Sequence, residues 1–146
     1  MKWRLLILLA LAMGILGGTM ACGGAATTAT AAETAAEKAG PSTLKPSVDV
    51  ATVYDLLDNP DVFLIDVREP FEYDTGHIPG ITLIPMGDVA SRLSEIPTDK
   101  EVIVTCRTGN RSAQIADFLR AQGFTNVHNM EGGIVAWEEA GYPVEQ

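Results

Sequence analysis

The chain has 146 residues, enough for one compact domain and little else. Ten Lys and Arg stand against 19 Asp and Glu, a formal charge of -9 at pH 7, so nucleic acid and anionic lipid surfaces are not expected as partners. Any site for an anion must be local, built from a few residues against the field of the whole chain.

In chain order the first feature is "MKWRLLILLALAMGILGGTMAC": Lys2 and Arg4, an apolar run from Leu5 to Leu16, then small residues. An apolar core of about 12 residues falls short of the roughly 20 that span a bilayer and suits an export signal over residues 1–21. An uncleaved membrane anchor is the alternative, and under either reading the positive end stays cytoplasmic while the rest is exported. Thr19, Met20 and Ala21 before Cys22 resemble the lipobox of bacterial lipoproteins, with Thr19 where Leu is usual. That resemblance implies lipid attachment at Cys22 and an anchor on the outer face of the cell membrane or the periplasmic side of an envelope membrane. Gly23 stands where an inner-membrane retention signal would have Asp. Cleavage would remove two cations and no acid, leaving 8 Lys and Arg against 19 acids.

Residues 22–47 read as the lipidated cysteine and a flexible Ala/Thr-rich tether. "GGAATTATAAETAAEKAGPSTLKPS" offers Leu44 as its single large apolar side chain and cannot bury a core. As a flexible chain it would average about 28 Å end to end, lifting a domain off a membrane.

The folded domain is expected over 48–146. Short apolar or β-branched runs at 62–66 ("VFLID"), 81–85 ("ITLIP"), 101–105 ("EVIVT") and 126–130 ("NVHNM") read as strands. Before, between and after them lie expected helices at Ala51 to Leu57, Gly87 to Leu93, Ser112 to Ala121 and Gly133 to Ala140. This alternation predicts an α/β domain with a mostly parallel central sheet and helices on both faces.

Cys106 closes the 101–105 strand. With Cys22 in lipid it is the only thiol left, in a compartment where cysteines usually pair. "RTGNRS" follows, and then a helix that Ser112 is expected to cap, with an apolar face of Ile115, Ala116, Phe118 and Leu119 and an end at Gly123. In open α/β sheets, ligands bind at such carboxyl strand ends. A thiol needs about 2.7 kcal/mol of help to ionise at pH 7. A helix N-terminus supplies about 0.3 to 2 kcal/mol, and a guanidinium at roughly 6 Å about 2.8 kcal/mol at an effective dielectric of 20. Arg107 or Arg111 is therefore expected to complete the shift without a histidine base. The plainer alternative makes Cys106 a small hydrophobe in the core; two cations and a loop of exposed amides serve no purpose there.

"CRTGNRS" resembles the active-site loop of rhodanese-type sulfurtransferases. "LIDVREPFEYDTGHIPGI" (64–81) and "GGIVAW" (132–137) resemble the family's first and closing signatures. The resemblance covers nearly all of 48–146 and implies a single rhodanese-like domain. It implies that Cys106 takes the outer sulfur of a small anionic donor such as thiosulfate and passes it, as a persulfide, to a thiol or cyanide-like acceptor. The backbone of Arg107, Thr108, Gly109, Asn110 and Arg111 would form the cradle, with Arg111 at the far rim and Arg107 reaching outward to guide donors. Arg68 would either touch substrate or form a structural ion pair with Asp66. His77, His128 and Trp137 are expected to be structural; no cofactor is implied, and the histidine and cysteine spacings make no metal site. Two alternatives stay open. Phosphatases and arsenate reductases of related fold carry five residues between Cys and Arg, against four here, a difference of up to about 3.6 Å of chain. A non-catalytic sulfur-binding or redox-sensing module is the other.

Overall fold

The computed structural model describes residues 44–146. The expected signal segment, Cys22 and most of the expected tether lie outside the described residues. Five strands form one sheet in the order β1-β5-β4-β2-β3, every neighbouring pair parallel: β1 (Ser47–Val48), β2 (Val62–Asp66), β3 (Thr82–Leu83), β4 (Glu101–Thr105) and β5 (Val127–Met130). The helices are α1 (Val50–Asp55), α2 (Pro70–Tyr73), α3 (Asn110–Ala121) and α4 (Gly133–Glu139).

β4 is central because its residues are apolar on both sides. Val102 and Val104 face one cluster, completed by Ile115, Ala116 and Leu119 of α3 together with Ile65, Val67 and Ile84. Ile103 faces the other, with Val53 of α1 and Ile134 and Trp137 of α4. Strands buried on both faces read as continuous β-branched runs, which is why 62–66 and 101–105 are legible as strands. The expected α/β class, parallel sheet and two-sided helical cover are what the structure has.

Several expected boundaries shift, each for a local reason. The fold starts before Val48: Ser47 pairs with Asn129 in β1, and the carbonyls of Lys45 and Pro46 are held by His128 Nδ1 (2.7 Å) and Arg120 Nη2 (2.7 Å). The expected strand at 81–85 keeps only Thr82–Leu83, an edge pair beside β2 that Pro85 closes. The expected helix at 87–93 is two 3₁₀ turns, Val89–Ser91 and Leu93–Glu95, whose apolar residues serve the first cluster. Pro70 at the first position of α2 begins a four-residue helix that the periodicity does not reveal.

Candidate active site

Cys106 continues the Val102–Val104 side of β4 and so points toward the start of α3. The residue is 1% exposed. The Gly109 N–H donates to its sulfur at 3.2 Å and the Ser112 hydroxyl at 3.4 Å. Burial pushes the thiol pKa up. The Ser112 hydroxyl and the backbone amides of Ser112, Thr108 and Gly109 push it down, and the balance lies below the ordinary thiol value. The expected direction is therefore present, with different leading causes: a buried serine hydroxyl and the loop amides lower it most.

Ser112 is not the helix cap. Gly109 occupies that position at φ +91°, and α3 starts at Asn110. An L side chain there would be strained, and an added Cβ would meet the Gly132 nitrogen at 3.1 Å and the Met130 carbonyl at 3.3 Å. Sequence preference places Ser at caps, but close backbone approach demands glycine, and this frees Ser112 to turn inward against the sulfur.

The loop is braced from behind by α4. The Ile134 N–H donates to the Cys106 carbonyl at 2.9 Å and the Val135 N–H to the Arg107 carbonyl at 3.1 Å. Gly133, at φ +59°, lies so close that an added Cβ would collide with the Cys106 carbonyl oxygen and stand 2.6 Å from the Arg107 carbonyl carbon. The glycine pair of "GGIVAW" is thus part of the cysteine site, a role its sequence alone did not reveal.

The arginines divide by what they hold. Arg111 makes a two-point ion pair with Glu72, at 2.8 and 2.7 Å; that pairing first, and the Cys106 thiol to a lesser degree, push the Arg111 pKa up. Hydrogen bonding to Arg111 leads the causes that bring the Glu72 carboxyl down to about 2. Arg68 is 4% exposed; its Nε reaches both Asp66 oxygens, at 3.1 and 2.8 Å, and its two Nη atoms reach the carbonyls of Glu72 (3.1 Å) and Gly76 (2.8 Å). Among the described residues every arginine except Arg107 holds a carboxylate. Arg107 and Thr108 are exposed, as is Asn110, whose carbonyl accepts from the Gln114 side chain.

A cleft of about 270 Å³ opens beside the loop, walled by Arg68, Phe71, Glu72, Thr75, Arg107 and Val135 among others. Cys106 is not among the residues that line it. Phe71, 71% exposed, stands at its edge. The two histidines sit elsewhere: His77 stacks on Tyr73 at 3.7 Å and contacts Glu145, and His128 bridges the Lys45 carbonyl and Glu101. Trp137 is fully buried and donates to the Pro143 carbonyl at 2.8 Å.

A parallel α/β sheet with one cysteine at its central carboxyl edge, in a loop of inward amides closed by an arginine, defines a class of thiolate-based anion sites. Comparison with known proteins narrows the class. Residues 49–140 match the family model of the Rhodanese-like domain. A protein named sulfurtransferase from Allochromatium vinosum is 44% identical over 89 residues, covering 61% of this chain and 83% of that protein. A thiosulfate sulfurtransferase from Pseudoalteromonas translucida is 38% identical over 93 residues, 64% of this chain and 89% of that one. Among solved structures, a rhodanese-related protein from Thermoplasma volcanium superposes with a TM-score of 0.64 at 37% identity, covering 69% of this chain and 98% of that chain. The chain belongs to the rhodanese-like family.

Proposed function

We propose that this chain is a rhodanese-type sulfurtransferase that moves sulfane sulfur from thiosulfate, or a similar small anionic donor, to a thiol or cyanide-like acceptor. The observation that carries the reading is the buried Cys106 sulfur facing the Gly109 amide and the Ser112 hydroxyl, with its pKa held down. The Cys106 thiolate attacks the outer sulfur of the donor; a new S–S bond forms, the donor S–S bond breaks, and its electron pair leaves with sulfite. The acceptor's lone pair then attacks the outer sulfur of the persulfide, and the Cys106 thiolate is restored. In both steps negative charge builds on sulfur, which is what inward amides and Arg111 are placed to stabilise. Arg107, the unpaired cation at the cleft, draws the donor in.

The narrow approach favours this chemistry over phosphate or arsenate chemistry. A donor whose reacting sulfur stands alone at its tip suits a cysteine that is only 1% exposed. A tetrahedral oxyanion must seat several oxygens around the cysteine, and only four residues separate Cys106 from Arg111.

Intact-mass analysis after thiosulfate treatment tests the reading. The protein should gain the mass of one sulfur, lose it to cyanide, and gain nothing as Cys106→Ser. Absence of the adduct together with preferred hydrolysis of aryl phosphates would replace sulfur transfer by phosphatase chemistry; an adduct that no acceptor removes would indicate a sulfur-binding module.

We further propose that the domain is exported and lipid-anchored at Cys22. Support comes from the layout of residues 1–22 and the polar tether after it. The chain should fractionate with membranes, and Cys22→Ser should release it or block processing. A wild-type chain recovered soluble and without lipid would end this proposal.

A further inference from the structure

We propose that Glu72 is a positioning residue for the chemistry at Cys106: its carboxylate holds the Arg111 guanidinium in one orientation against the cysteine loop. The inference deepens the sulfur-transfer reading and rests on it only for turnover, since its geometry concerns the thiol itself.

The two residues lie 39 positions apart, and both Glu72 oxygens are engaged, Oε2 at 2.8 Å and Oε1 at 2.7 Å. Fork-to-fork pairing fixes the plane and direction of a guanidinium, which a single contact does not. Orientation needs fixing here, because the Arg111 side chain is 32% exposed and could otherwise extend into water. Glu72 is in turn well anchored. It stands at the third position of α2, its Oε2 accepts from the Glu69 N–H at 3.2 Å, and its carbonyl receives Arg68 Nη1 at 3.1 Å. Arg68 is fixed by Asp66 at the end of β2. A continuous polar line therefore runs from the end of β2 through Asp66, Arg68 and Glu72 to Arg111, in the first turn of the helix that follows the cysteine loop.

A helix cap alone does not account for this arrangement. The cap uses Oε2, whereas Oε1 serves Arg111 alone among the described contacts. A carboxylate beside an anion site also opposes anion capture. That cost is intelligible if the carboxylate supplies direction to the cation that ends the cysteine loop, while the unpaired Arg107 does the attracting.

A double-mutant cycle on the full chain tests it, with alkylation by a neutral reagent followed against pH at the Cys106 peptide. Glu72→Gln should move the profile to higher pH, slowing labelling near pH 6.5 by about five-fold and much less above pH 9. Arg111→Ala should do the same, and the double variant should be no slower than Arg111→Ala alone, because one residue acts through the other. Glu69→Gln, which disturbs the same cap from its other side, should leave the profile in place. The idea is overturned by a Glu72→Gln profile that matches wild type, by additive effects in the double variant, or by an equal effect of Glu69→Gln. Should Glu72→Gln lose its thermal unfolding transition, Glu72→Asp takes its place in the cycle, with a partial shift expected. A normal cycle in a protein that never takes up sulfur would sink the sulfurtransferase reading and leave this one standing; the reverse result would do the opposite.

Discussion

Replacing Gly133 by alanine should cost sulfur transfer at least about 100-fold, although the substitution lies 27 residues beyond the nucleophile. The strain of an L residue at φ +59° amounts to about 1–2 kcal/mol. The larger effect is displacement, because the new Cβ occupies the space of the Cys106 and Arg107 carbonyl groups. Either the loop moves or α4 does, and both movements break the Ile134 and Val135 bonds that brace the loop. Total destabilisation should reach about 3 kcal/mol, a fall in Tm of more than about 10 °C for a domain of this size. Gly123→Ala is the control, with φ at +97° and nothing within 4 Å of the added Cβ. It should lower Tm by only a few degrees and leave turnover unchanged. Equal turnover losses in the two variants would show that the collision at Gly133 does not matter.

Arg68→Ala should destabilise the fold by about 3–5 kcal/mol, because it leaves the Asp66 carboxylate buried without its partner. It also strands the Glu72 and Gly76 carbonyls that Arg68 now satisfies. Asp66→Asn combined with Arg68→Met should recover a good part of the loss, since no lone charge then remains inside. Chemical denaturation of the three proteins decides the point. If Arg68→Ala keeps wild-type stability and instead raises the KM for thiosulfate, Arg68 belongs to substrate binding, as the family resemblance allows, and its ion pair is incidental.

How much of this was legible in the sequence depends on the range over which each feature is encoded. β2 and β4 announce themselves through uninterrupted β-branched runs, and α3 through the spacing of Ile115, Ala116 and Leu119. Cys106 and the loop after it are contiguous, so the nucleophile and its amides could be read together. Edge pieces could not: β1 and β3 have two residues each and exist because a neighbouring strand offers them hydrogen bonds. Nor could the inward turn of Ser112, since the preference that places Ser at helix starts says nothing about a backbone so close to Gly132 that a Cβ added at Gly109 would stand 3.1 Å from its nitrogen. Glu72 was missed for the same reason as Gly133. Each acts on a residue far away in the chain, and a carboxylate in a short acidic stretch carries no sign of the guanidinium it will meet.

The dependence of the cysteine loop on α4 has a consequence for how the protein comes into being. β4 and the whole loop are synthesised before Gly133 exists, yet the carbonyls of Cys106 and Arg107 have no backbone donors until Ile134 and Val135 arrive. A growing chain can pair β2 with β4 and lay α3 over them while those two carbonyls still lack the donors that brace the loop. The loop's bracing is thus completed only when α4 is made, and a chain ended before Gly133 would carry the cysteine on a loop that nothing holds from behind.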